Sequence, residues 1–60
     1  MIKRFSVTKK FVGGTLNGLS YTFEIYHDVD GDVPMFEVGQ TVKPWMGSPF
    51  IVTDVHEVHA

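Results

Sequence analysis

The sequence contains no cysteine, which excludes disulfide bonds and thiolate zinc sites. A chain of 60 residues buries only a modest share of its surface, and domains of this size usually need a disulfide, a metal or a partner subunit. We therefore expect a single domain over residues 1–60 that self-associates, most simply as a homodimer. The lack of cysteine also suits a reducing compartment, so we expect a cytoplasmic location.

Long apolar runs are missing as well. The first ten residues mix charged and apolar side chains and do not form the apolar segment of a signal peptide. No stretch approaches the roughly 20 apolar residues that a membrane helix requires. The sequence therefore predicts a protein that does not associate with membranes.

Features of an enzyme are scarce. Ser6, Ser20 and Ser48 lie in no recognisable nucleophile motif, and no pair of carboxylates is placed in two clearly different environments. No glycine-rich phosphate loop opens a helix, and so short a chain would struggle to enclose a catalytic pocket. These absences predict a protein that is not an enzyme and needs no cofactor.

Two groups of potential metal ligands have unsuitable spacing. Three aspartates alternate over residues 28–32 as in a calcium loop, but the sixth and twelfth positions of that loop hold Val33 and Gly39 instead of glycine and a bidentate acid. His56 lies on the predicted last strand and His59 follows its end, and on a strand two residues three apart point to opposite faces. We therefore predict no metal site.

Period-two alternation of apolar residues, with frequent glycine and proline breaks, predicts an all-β fold. The predicted strands cover residues 2–12, 20–27, 33–38, 41–43 and 50–58. Lys9 interrupts the apolar face of the first strand, which indicates a strand end or a β-bulge at this point. About five short strands in one small domain can form either a closed barrel or a strongly bent antiparallel meander.

Two segments carry a resemblance to known families. Residues 36–42 (Phe-Glu-Val-Gly-Gln-Thr-Val) and residues 47–55, which run from a glycine loop into a valine-rich strand, resemble the central hairpin of SH3-like barrels. Residues 11–19, with a Leu-x-Gly-Leu step after a glycine, resemble the opening of small bacteriophage accessory proteins. The resemblance implies a small SH3-like barrel that binds and modulates a host protein in the host cytoplasm, in host takeover or anti-defence. A structural role in a virion or other assembly is an alternative.

Positive charge is concentrated at the N-terminal end of the chain. Four of the five basic residues precede the first acidic residue: Lys3, Arg4, Lys9 and Lys10. One interpretation is that this basic strand pairs beside acidic strands, within or between chains. The other is a basic edge that binds nucleic acid, with Phe5, Phe11 or Tyr21 as stacking platforms for bases.

The segment Pro44–Pro49 is the strongest candidate for a contact surface. Trp45 and Met46 belong to residue types that are enriched in protein interfaces. Tyr26, on the polar face of its strand, is a second candidate. The competing interpretation is that Trp45 folds back as a lid over one end of the barrel, since so small a core needs its large side chains. The sequence thus predicts protein binding at Trp45, Met46 and Tyr26, with the lid as the alternative.

Overall fold

The computed structural model describes residues 1–59, which form one curled antiparallel sheet of four strands, a half-barrel. The strands are β1 (Ile2–Phe11), β2 (Ser20–Asp28), β3 (Thr41–Val42) and β4 (Phe50–Glu57), in the order β2-β1-β4-β3. A three-residue 3₁₀ turn (Gly14–Leu16) lies between β1 and β2. The all-β prediction is confirmed, and over residues 1–59 no helix is long and apolar enough to cross a membrane.

Residues 33–38, predicted as a strand, instead belong to an irregular connection between β2 and β3. Pro34 cannot donate a hydrogen bond to a ladder. The apolar residues of this connection pack across the sheet, since Met35 and Phe36 contact the core and the rings of Phe36 and Phe23 lie 6.2 Å apart at 88°. Residues 1–59 therefore contain four strands, not the predicted five or so.

One face of the sheet, here called the inner face, carries the core. Among residues 1–59 the buried apolar side chains are Val7, Phe11, Phe50 and Val52. Seven partly buried side chains surround them: Leu16, Phe23, Ile25, Met35, Phe36, Val42 and Val55. Because burying one large apolar side chain contributes about 1.5–3 kcal/mol, a core with so few buried members depends on each of them.

A β-bulge decides which residues of β4 face this core. The β1–β4 register shifts at Lys9 and leaves Thr53 as an extra residue in β4. Because side chains alternate strictly along a strand, one extra residue exchanges the two faces beyond it. As a result Val55, and not Asp54, joins Val52 at the core. The bulge expected at the break in the apolar pattern of β1 is therefore present, with its extra residue on the neighbouring strand.

Candidate protein-binding surface

The loop between β3 and β4, residues 43–49, is fixed at its base. The backbone N–H of Val12 donates a hydrogen bond to the carbonyl of Pro49 over 3.0 Å. Gly13 packs so closely against Pro49 that an added Cβ would lie 3.2 Å from the proline ring. Gly47, at φ +110°, reverses the chain in a region that favours glycine. The loop therefore leaves the sheet in a defined direction, beside the turn that follows β1.

The tip of this loop, Trp45 and Met46, projects into solvent. The two side chains are 95% and 76% exposed. The interpretation of Trp45 as a lid is therefore wrong, and the apolar residues that flank the core come from elsewhere, among them Leu16 and Met35. A side chain this exposed contributes little to folding, so the indole surface remains available for contact with another molecule.

Tyr26 is also exposed, at 74%, but it lies towards the other end of the sheet. It pairs with Arg4, whereas the loop ends at Phe50, which pairs with Phe11. Arg4 and Phe11 are seven residues apart on β1, which corresponds to roughly 20 Å along a strand. The structure therefore does not bring Tyr26 and the loop tip together on one contact surface.

Further exposed apolar residues lie at the same end of the sheet as the loop. Val12, Leu19 and Tyr21 all have exposed side chains. Leu19 lies opposite Phe11 and so shares its face of the sheet, but it is 50% exposed, whereas Leu16 packs against the core. The alternation of the sequence does not distinguish these residues from core residues. Of the three, only Tyr21 was predicted as a contact residue, as a stacking platform for bases.

The N-terminal cations are distributed over both faces of the sheet. Lys3 forms an ion pair with Glu57 at 3.3 Å, and Arg4 forms one with Glu24 at 3.5 Å. Lys10 is exposed on the opposite face from Lys9. The strand that carries them is an inner strand of the sheet and not an edge, because β2 and β4 flank it. The pairing of a basic strand with acidic neighbours is thus observed, and the four cations do not form one basic face.

The acidic turn contacts the N-terminus of the chain. The ammonium group of Met1 lies 2.9 Å from a carboxylate oxygen of Asp28 and 2.8 Å from one of Asp30. The carboxylates of Asp30 and Asp28 raise the pKa of this amino group. The ammonium is in turn the main cause that lowers the pKa of Asp28, and the backbone N–H of Asp30 is the second. Two of the three alternating aspartates, Asp28 and Asp30, are therefore engaged with a cation that belongs to the chain itself.

Each of the three histidines contacts a different residue. The Nδ1 atom of His56 is 2.7 Å from a carboxylate oxygen of Asp54, and His59 lies 3.2 Å from Glu57. His27 packs edge-on against the ring of Phe5, with centroids 6.3 Å apart. In the part of the chain that the structure describes, no three potential ligands are grouped to hold a metal ion.

Comparison with known proteins identifies no relative of this chain. No family model, no curated protein and no solved structure matches it. The resemblances noted in residues 11–19, 36–42 and 47–55 therefore remain expectations.

Proposed function

We propose that the protein is a non-enzymatic binding module that contacts another protein through the loop tip, Trp45 and Met46. The observation that carries this proposal is the almost complete exposure of the indole on a loop with a fixed base. Tryptophan is one of the residue types enriched among side chains that dominate the binding energy of interfaces. The thioether of methionine adds an apolar contact that adapts to the shape of a partner.

The fixed base lowers the entropic cost of binding. Two prolines bracket the tip, and the hydrogen bond from Val12 holds the second of them. A loop that is already close to its bound conformation loses less conformational freedom when it forms a contact. In the role expected of a phage-type accessory protein, the partner is a host protein whose activity this contact modulates.

The test of this functional class is the salt dependence of binding. We expect a partner captured on the immobilised protein to remain bound as the salt concentration rises from about 0.1 to 0.5 M, because apolar contacts are not screened. Binding to phosphates would weaken steeply over the same range. A captured molecule that nuclease removes and that salt releases would contradict the proposal. That result would instead favour nucleic-acid binding through the exposed Lys10.

We also propose self-association through the open edge of β2. Leu19 and Val29, which flank β2, form backbone hydrogen bonds with Phe11 and Met1 at the two ends of β1. By the alternation of an antiparallel ladder, the odd-numbered residues of β2 therefore direct their polar backbone groups towards β1. The even-numbered residues, among them Thr22, Glu24 and Tyr26, direct theirs towards the open edge. Such an edge is a template for pairing with the same strand of a second copy.

Sedimentation equilibrium tests this dimer. We expect the wild-type protein to be dimeric at micromolar concentration and Glu24→Pro to be monomeric, because proline removes an N–H that faces the open edge and not β1. Glu24→Thr is the matched control, since it removes the same charge and keeps the N–H. A wild-type monomer, or a dimer that tolerates the proline, would show that β2 is not the interface.

A further inference from the structure

Lys9 lies on the apolar inner face of the sheet. It pairs in register with Tyr21 and Val52, between the two buried residues Val7 and Phe11 of its own strand. Its ammonium group lies against three aromatic rings, 5.1 Å from the centroid of Phe11, 5.4 Å from that of Phe23 and 4.6 Å from that of Phe50. The ring faces attract the positive charge, but they offer weak acceptors at best to its three N–H donors.

The other cations near the start of β1 have carboxylate partners. Lys3 and Arg4 each lie within 4.0 Å of a glutamate, whereas none of the ion pairs within residues 1–59 includes Lys9. The side chains that pair beside Lys9 and Phe11 on the inner face carry no carboxylate: Leu19, Tyr21, Phe50 and Val52. The ammonium therefore retains donors for a carboxylate that comes from another molecule.

The same lysine lines an open cleft of about 330 Å³. The other residues that line it are Phe11, Leu16, Tyr21, Thr22 and Phe23. Two of the three rings that contact the ammonium, Phe11 and Phe23, thus also form the wall of the cleft. The cleft combines an apolar wall with a cation, at the end of the sheet where the 3₁₀ turn and the loop tip are found.

We propose that this cleft binds the C-terminal residue of a partner polypeptide that ends in an apolar side chain. The ammonium of Lys9 donates hydrogen bonds to the terminal carboxylate, and the apolar side chain packs against Leu16 and Tyr21. A charge-assisted hydrogen bond beside aromatic rings is stronger than the same bond in open water. That the carboxylate belongs to a partner protein rests on the proposed protein binding. That the cleft recognises a carboxylate attached to an apolar group does not.

The test uses two small probes that differ only in their terminal group. N-acetylphenylalanine carries a terminal carboxylate, and N-acetylphenylalaninamide has the same apolar body without the charge. We expect the acid to bind roughly tenfold more tightly than the amide, measured by shifts of backbone amide resonances around Phe11, Leu16 and Tyr21. Lys9→Met, which retains an apolar stem of similar length, is expected to bind acid and amide equally. Lys10→Met is the matched control, because it removes the same charge from the other face and should preserve the difference.

Each other outcome counts against the proposal. Equal binding of acid and amide by the wild-type protein, or a preference that survives in Lys9→Met, would overturn it. The absence of any shift at about 10 mM acid would overturn it as well, since ligands of this size are expected to bind in the millimolar range. Hexanoate tests the source of the carboxylate. If hexanoate binds as tightly as N-acetylphenylalanine, the ligand is a free aliphatic acid and not a peptide terminus. These probes need no protein partner. The cleft can therefore fail to bind them while the loop tip still binds a protein, or bind them while the loop tip does not.

Discussion

Replacing Phe50 with alanine is expected to leave a large fraction of the protein molecules unfolded at room temperature. Phe50 is one of the four buried apolar side chains of residues 1–59, and its ring packs edge-on against that of Phe11 with centroids 6.3 Å apart. Truncation of a buried phenylalanine costs about 3–5 kcal/mol. The whole domain is expected to be stable by only about 3–9 kcal/mol, from 0.05–0.15 kcal/mol per residue. The loss is therefore comparable with the total free energy of unfolding.

Thermal melting followed by circular dichroism measures this effect, and Trp45→Ala is its control. That substitution also removes an aromatic ring, but from a side chain that is 95% exposed. We expect its melting temperature to match that of the wild-type protein, since substitutions at such surface positions usually change stability by no more than about 0.5 kcal/mol. A Phe50→Ala variant that melts normally, or a Trp45→Ala variant that unfolds, would contradict the described core.

The strands whose apolar residues alternate and that pair with a neighbouring strand were predictable from the sequence. β1, β2 and β4 follow the predicted segments to within one residue at each end, because one face of each strand packs on the core while the other meets solvent. Residues 33–38 are also rich in apolar residues, but they have no partner strand. Their two core contacts come from the adjacent residues Met35 and Phe36, which pack across the sheet. Here the apolar residues of a connection that covers the core were mistaken for a strand.

The sequence could not decide between an exposed Trp45 and a lid over the core, because the answer depends on the path of the connection between β2 and β3. The lid interpretation assumed that the core lacked apolar material. That material comes from the irregular connection, whose course across the inner face is not encoded in local periodicity. The break in the pattern at Lys9 was visible in the sequence, but the three rings around its ammonium come from β1, β2 and β4 and meet only in the folded sheet.

Trp45→Ala is expected to weaken binding of the protein partner by roughly 30-fold or more while leaving the fold intact. An interface hot spot contributes about 2 kcal/mol or more when truncated, and this corresponds to such a factor. The tip meets the conditions for a hot spot, because its ring is large and exposed and its loop is held by the hydrogen bond to Pro49. Isothermal titration of the captured partner against wild-type and variant protein gives the ratio of dissociation constants.

Tyr26→Ala serves as the matched control for this loss of affinity. Tyr26 is an exposed aromatic residue as well, but its position opposite Arg4 places it away from the loop tip. If the tip alone forms the contact, the Tyr26 variant binds like the wild-type protein, and Met46→Ala causes an intermediate loss because methionine contributes less rigid contact area than tryptophan. Equal losses for Trp45→Ala and Tyr26→Ala would mean that the partner spans the length of the sheet. Normal binding by Trp45→Ala would exclude the loop tip as the principal contact, because that variant stays folded and lacks only the indole.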